Sequence, residues 1–296
     1  MLIDHLSIIG LGLIGGSLAR ALRKAKLVGR VTACNRGEDT LKKAIELDVI
    51  DDYTLDIAEA VKGADVVVIG TPLSTTEKLL PQIAEALDSN TVLTDVGSAK
   101  GSVVNAAREM LGEKFSQFVP GHPIAGTEQS GVEASFAELF IGHRVILTPV
   151  EETSDKAHKL IVDMWEAVGA DVIDLDVIHH DEVLAATSHL PHMLAYALVD
   201  CLVSMQARDE IFKYAAGGFA DFTRIASSNP DMWHDICFSN RDALLKTLDK
   251  FSGHIDQVKS AIESSDSERL LNIFRRAKNA RDKFISSRNN LDTSAE

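Results

Sequence analysis

The hydrophobic positions of this chain change their period part-way along it. In the first half, short runs that are apolar throughout alternate with stretches where apolar residues recur every three or four positions. Leu6 to Ile9 reads as a strand, Gly10 to Gly16 as a turn and Ser17 to Lys26 as a helix. Val31 to Cys34 is a second strand, Leu41 to Leu47 helical, Ala64 to Gly70 a strand, Thr75 to Leu87 helical and Thr91 to Thr94 a strand. Strands without a polar face, separated by helical periods, predict a parallel sheet covered on both sides. Such a βαβ series makes this half an α/β, Rossmann-type domain. Later strands are expected at Phe118–Val119, Val145–Thr148 and Asp171–Leu175.

From about Ile178 the strands stop. Helical periods run over Val183–Met205, Asp209–Tyr214, Met232–Ile262 and Asp266–Ser286, with Leu270, Leu271, Phe274, Ala277 and Phe284 forming one stripe. His179 and His180 read as the solvated start of the first of these. The expected organisation is a dinucleotide-binding domain over 1–176, an all-helical domain over 177–290 and a tail over 291–296. The amphipathic helices of the second half suggest a homodimer, because such stripes are commonly buried against a second copy.

Composition narrows the classes. Across 296 residues, 44 acidic side chains face 30 basic ones, a net charge of −14, which disfavours nucleic acid as a partner. Three cysteines, Cys34, Cys201 and Cys237, are too few and too scattered for a disulfide framework or a zinc cluster. No signal-peptide pattern and no apolar run of about 18 residues is present, so a cytoplasmic protein without a membrane span is expected.

Gly10-Leu11-Gly12-Leu13-Ile14-Gly15 is G-x-G-x-x-G between a strand and a helix. In that context Gly10 permits a tight turn, Gly12 admits a pyrophosphate close to the backbone, and Gly15 lets helix and strand approach. The helix N-terminus then offers its unpaired N–H groups to the phosphates. The end of the second strand, where a ribose-binding acid usually stands, carries Asn35 and Arg36. Asn35 cannot repel a 2′-phosphate and Arg36 can pair with one, so NADP is a candidate beside NAD. Alternatively, Arg36 is a solvated turn residue or stacks on adenine. Thr71 and Pro72 lie at the carboxyl end of a strand, where cofactor walls are built.

Polar and small residues concentrate in five further segments: DVGSAKG (95–101), GHPIAGTEQSG (121–131), SHLPH (188–192), GGFADFTRIA (217–226) and NPDMW (229–233). Read without context, His122 is either a turn histidine or an acid–base group, and Ser98 a helix cap or a site residue. His189 and His192 share a helical face and could ligate a metal, but no cysteine or carboxylate completes a set, so no metal is expected. Asp221 and Arg224, three apart, could be a plain surface ion pair.

Together, GLGLIGGS (10–17) and these five segments, in this order over nearly the whole chain, resemble the prephenate/arogenate (cyclohexadienyl) dehydrogenases of tyrosine biosynthesis. The resemblance implies a Rossmann domain followed by a helical dimerisation domain of the 6-phosphogluconate-dehydrogenase type, with the active site between them. It implies oxidative decarboxylation of prephenate to 4-hydroxyphenylpyruvate, or of arogenate to tyrosine, with hydride passing to NAD or NADP. By motif, His122 would hydrogen-bond the ring hydroxyl, and Ser98 would orient His122 and touch the nicotinamide side. His192 and Arg224 would hold the substrate, Ser188, His189, Thr127 and Trp233 would line the site, and Glu128 would sit at its entrance.

The residue types suit that chemistry. Forming a ring carbonyl requires the hydroxyl proton to leave, which a neutral imidazole accepts at cellular pH. A dianionic substrate in so acidic a chain needs a local cation, for which Arg224 is the leading candidate. Two other readings remain open: a Rossmann-type 3-hydroxy-acid dehydrogenase, which would be expected to use a lysine, and a non-catalytic dinucleotide sensor.

Overall fold

The computed structural model describes residues 1–127, 129–205 and 208–292. The chain resolves into two compact units, Met1–Leu244 and Leu245–Glu296.

The first unit begins with six parallel strands, β1 (Ile3–Ile9), β2 (Val28–Cys34), β3 (Asp52–Thr54), β4 (Val66–Ile69), β5 (Val92–Asp95) and β6 (Phe118–Val119). Their helical connections are α1 (Leu13–Lys24), α2 (Glu38–Glu46), α3 (Ile57–Val61), α4 (Leu73–Ala86) and α5 (Gly101–Leu111). The strand order β3-β2-β1-β4-β5-β6 is that of a doubly wound dinucleotide-binding sheet. The order reverses between β1 and β4, so the connections leaving these strands diverge and open a crevice at their carboxyl ends.

Alternation along the strands divides the core in two. Val66 and Val68 pack on one face with Leu6, Ile8, Leu18 and Leu22, while Val67 and Ile69 pack on the other with Leu80, Ile83 and Val103. All four residues of β4 are buried, as a centrally placed parallel strand requires. β3 and α3, of three and five residues, are too short to leave a period in the sequence.

A second sheet follows: β7 (Gly121–Pro123), β8 (Arg144–Leu147) and β9 (Asp171–Asp174), with α6 (Asp155–Ala167) between the last two. β7 runs antiparallel to β8 with His122 opposite Ile146, and β8 runs parallel to β9. His122 is therefore a strand residue, paired along one side with β8, and not a turn residue.

The remaining elements are helical: α7 (Val177–Leu184), α8 (Leu190–Val203), α9 (Arg208–Lys213), α10 (Gly217–Thr223), α11 (Pro230–Ser239), α12 (Arg241–Glu263) and α13 (Ser267–Asp292). Two helices expected to be continuous are interrupted. The stretch Val183–Met205 contains a π-helical turn at Ala185–His189. Pro191, just beyond it, has no N–H to donate and its ring crowds the carbonyl of Thr187, so the winding loosens there. The stretch Met232–Ile262 breaks at Asn240, whose backbone leaves the helical region and whose side chain is used elsewhere.

In the second unit, the remainder of α12 and α13 are joined through Ser265, which adopts φ +54°. Asp266 accepts from the Arg269 N–H at 3.0 Å and caps α13. Of the tail expected at 291–296, residues 293–296 lie outside the described residues, and α13 continues through Asp292. Among the described residues no helix is long and apolar enough to cross a membrane.

Candidate active site

The chain leaves β1 at Gly10, which has φ +90°. A Cβ there would lie 2.7 Å from Gly70 C and Thr71 N, so only glycine lets the β1 and β4 connections meet this closely. Gly12 is the N-cap of α1, with no side-chain cap and no acidic residue in the first turn. A Cβ on Gly12 would meet nothing within 4 Å, whereas one on Gly15 would strike Ile8 at 2.8 Å. The first turn of α1 thus presents bare N–H groups and a positive dipole end to open space.

That space is a cavity of about 260 Å³ lined by Gly10, Leu11, Gly12, Asn35, Arg36, Thr71 and Pro72, with Leu55, Ile57 and Leu79 adding an apolar wall. An apolar slot beside an uncapped helix N-terminus fits a dinucleotide, base against the wall and phosphates at the helix. The side chains of Leu13 and Ile14 instead pack against the sheet core, leaving only their backbone N–H groups for a ligand. The Asn35 carbonyl oxygen accepts from the Arg36 N–H at 2.9 Å, which fixes the turn carrying Arg36.

His122 occupies β7, 8% exposed. Its Nδ1 lies 2.9 Å from His180 Nε2, and His180 Nδ1 lies 2.8 Å from Asp181 Oδ1. The Asp181 carboxylate also accepts from the N–H groups of Lys100 and Gly101, at 2.8 Å each, and so caps α5 from α7. Two expectations are corrected here. His180 is fully buried, not solvated, because α7 turns its Val177–His180–Leu184 side inward while His179 remains exposed. Ser98 neither caps α5, whose N-cap is Lys100, nor occupies His122 Nδ1, where His180 stands.

Below this array Lys100 is completely buried, paired with Asp95 and donating to the Gly121 carbonyl at 2.8 Å. Asp95 in turn accepts from the Gly97 and Gly121 N–H groups. The DVGSAK segment thereby grips both backbone groups of Gly121 and fixes the start of β7. This is why an ion pair sits in an otherwise apolar interior: removing either partner would strand the other charge.

Burial keeps His122 and His189 neutral. Burial first, then the neighbouring His180, Lys100 and His189, hold His122 well below the usual histidine value. His189, in the π-turn, is pushed down to about 4, chiefly by burial. Burial acts to raise the Asp181 carboxyl, but the hydrogen bonds from His180, Lys100 and Gly101 outweigh it, and the group is net lowered and ionised. Asn240, at the break before α12, donates to the Asp181 carbonyl at 2.8 Å and contacts His189 Nδ1 at 3.1 Å.

One turn further along, His192 Nδ1 is 2.9 Å from the Ser188 carbonyl. That backbone acceptor requires a proton on Nδ1 and leaves Nε2 as the lone-pair nitrogen. Arg224, in a short 3₁₀ turn after α10, is exposed and close enough for its charge to act on His192, whose value is lowered mainly by burial. His189, His192 and Trp233 form an aromatic cluster. Ser98 lies half-buried in the loop between β5 and α5, its backbone next to His189. Thr127 is exposed and closes a loop turn with Gln129, away from hydrogen bonds to this cluster. Glu128 lies outside the described residues. The residues missed in the sequence, His180, Asp181 and Asn240, carried one signal: a histidine in the apolar stripe of a helix, followed directly by an acid.

Residues 18–174 match the family model for the prephenate dehydrogenase nucleotide-binding domain, and residues 176–276 match that for the prephenate dehydrogenase dimerization domain. The chain belongs to the prephenate dehydrogenase family. Among family members with curated names, a cyclohexadienyl dehydrogenase of Zymomonas mobilis is 40% identical over 279 residues, 94% of each chain. A solved prephenate dehydrogenase of Aquifex aeolicus, in complex with hydroxyphenyl propionate and NAD+, is 36% identical with a TM-score of 0.89, covering 95% of this chain and 98% of that one. The arogenate dehydrogenase of Synechocystis is 27% identical with a TM-score of 0.80, covering 95% and 99%. The two matches cover both halves of this chain, and the second spans the segment bearing His180, Asp181 and the π-turn.

Proposed function

We propose that this chain catalyses the NAD(P)-dependent oxidative decarboxylation of prephenate, arogenate or both, in tyrosine biosynthesis. The observation that carries this reading is His122: a neutral, buried imidazole whose Nδ1 is occupied, so that Nε2 is the nitrogen available to a substrate hydroxyl. The cavity at the glycine turn fits NAD or NADP, which when bound accepts the hydride leaving the ring carbinol carbon. His122 takes the hydroxyl proton as the carbonyl forms. The ring carboxylate, now conjugated to that carbonyl, leaves as CO₂ and the ring becomes aromatic, with no need of a metal. Arg224 and His192 anchor the substrate, Arg224 supplying the charge that a carboxylate needs in so acidic a chain. Trp233, His189 and Ser188 line this side, Ser98 lies towards the nicotinamide, and Thr127 and Glu128 belong to the entrance loop.

A homodimer is part of the proposal. Phe238 on α11 and, in the second unit, Phe274 and Phe284 on α13 are 66, 55 and 57% exposed in the single chain, and large apolar side chains so exposed favour covering by a second copy. So is the division at about residue 176 into nucleotide-binding and substrate portions with a tail over 291–296, and so is a cytoplasmic site, which three free cysteines suit.

The test is an NAD(P) reduction assay with prephenate, arogenate and a 3-hydroxy acid in parallel. Turnover is expected with at least one of the cyclohexadienyl acids, and His122→Asn should lower kcat by about 10²-fold or more while leaving cofactor affinity unchanged. Reduction with the 3-hydroxy acid alone, or binding of NAD(P) without turnover, would overturn the assignment.

A further inference from the structure

His180, expected from the sequence to be solvated, makes the only side-chain hydrogen bond to His122 among the described residues. We propose that His180 is a positioning residue that fixes the tautomer of His122 and takes over its proton during the reaction, with Asp181 balancing the charge. The inference rests on the proposed reaction for its chemical step, though not for its resting state.

The proton positions follow from the acceptors. The Asp181 carboxylate can only accept, so the 2.8 Å contact puts a proton on His180 Nδ1. With that proton on Nδ1, His180 Nε2 offers its lone pair, and the 2.9 Å contact puts a proton on His122 Nδ1. His122 Nε2 is left unprotonated. With the two nitrogens 2.9 Å apart, the ring centroids 5.2 Å apart and the planes at 67°, the rings meet nitrogen to nitrogen, so the N–H of one points at the in-plane lone pair of the other.

The same contacts serve the charged state. As the substrate O–H bond breaks, its electron pair forms the carbonyl and its proton bonds to His122 Nε2. The Nδ1–H bond of His122 then breaks and an H–Nε2 bond forms on His180. His122 is again neutral, and the imidazolium sits on His180, 2.8 Å from an ionised carboxylate. When CO₂ departs, the C–C bonding pair moves through the ring to the oxygen, which recovers the proton by the reverse path. The proton is borrowed for the lifetime of the ketone, and none is released overall.

The surroundings favour moving the charge one ring outward. The titratable groups around the pair are Lys100, paired with Asp95, the neutral His189 and Asp181. Lys100 opposes a positive charge on His122. Asp181 is the anion aimed at the pair, and it touches His180, not His122. Its two N–H donors at the start of α5 and the Asn240 bond to its carbonyl hold it in place.

The test compares wild type with His180→Leu and His180→Gln. In Gln the side-chain oxygen can still accept from His122 Nδ1, but it cannot take up a proton. Single-turnover rates should fall about 10²-fold for His180→Leu and recover by about tenfold for His180→Gln, with substrate KM and NAD(P) affinity nearly constant. The solvent-deuterium proton inventory should indicate two protons in flight for wild type and one for His180→Gln, a readout that a purely structural role would not move. ¹⁵N NMR of the resting enzyme should find His122 protonated at Nδ1. That measurement needs no turnover, so failure of the proposed reaction would leave it decisive. A proton on Nε2 of resting His122, or a His180→Leu rate equal to wild type, would overturn the proposal. Should His180→Leu not fold, His180→Gln with an unchanged rate and unchanged inventory would do the same.

Discussion

His192 and Trp233 stack face to face, with ring centroids 3.6 Å apart and planes inclined by 19°. One ring comes from α8 and the other from α11, so the stack ties two helices together while presenting His192 Nε2 to the site. Trp233 is 7% exposed, and its Nε1–H has no acceptor among the described residues. Trp233→Leu keeps an apolar group but loses the stack. It should cost about 2–3 kcal/mol of stability and raise substrate KM by roughly tenfold, with kcat little changed. Thermal unfolding and steady-state kinetics on one preparation check this; a kcat loss with constant KM would place Trp233 with the reacting atoms.

Arg224 is the cation whose charge reaches His192. Arg224→Ala should raise substrate KM by about 10²-fold, as expected on losing a charge-assisted carboxylate contact, and leave kcat within several-fold of wild type. Arg224→Lys should recover only part of the loss, since an ammonium lacks the planar fork. Kinetics with saturating cofactor decide between these outcomes.

Arg36 and Asn35 line the dinucleotide cavity beyond β2, and no carboxylate is among the described residues lining it. Arg36→Ala should weaken NADP by about tenfold and NAD by much less. Titration of both cofactors by fluorescence measures this. Equal losses would make Arg36 an adenine-stacking residue, and no loss a solvated one.

Stability should depend on pH through the buried imidazoles. His189 has a folded value near 4 against about 6.5 unfolded, so the folded state stays neutral where the unfolded chain already binds a proton. The stabilising difference is therefore full above 6.5 and is lost as pH falls from 6.5 towards 4, to a total of about 3 kcal/mol. His122 and His192, also lowered, act in the same direction as pH falls. Urea unfolding between pH 8 and 4.5 should give a falling midpoint, and a smaller fall in His189→Gln.

The sequence alone determined the elements whose signal is local. Apolar runs at Leu6–Ile9 and Ala64–Gly70 require burial on both faces, and with intervening helical periods they leave little but a parallel sheet. Gly10, Gly12 and Gly15 carry their geometry in their spacing, because a missing Cβ acts on its immediate neighbours. Tertiary structure decided everything that depends on which distant side chains meet. His122 and His180 are 58 positions apart, and Asp181 and Asn240 are 59 apart. The position of His180 in line with Val177 and Leu184 marks the inward side of α7, but nothing local says that its ring meets His122 on β7. The π-turn and the break at Asn240 likewise follow from packing, where satisfying buried donors and acceptors outweighs the propensity to continue a helix.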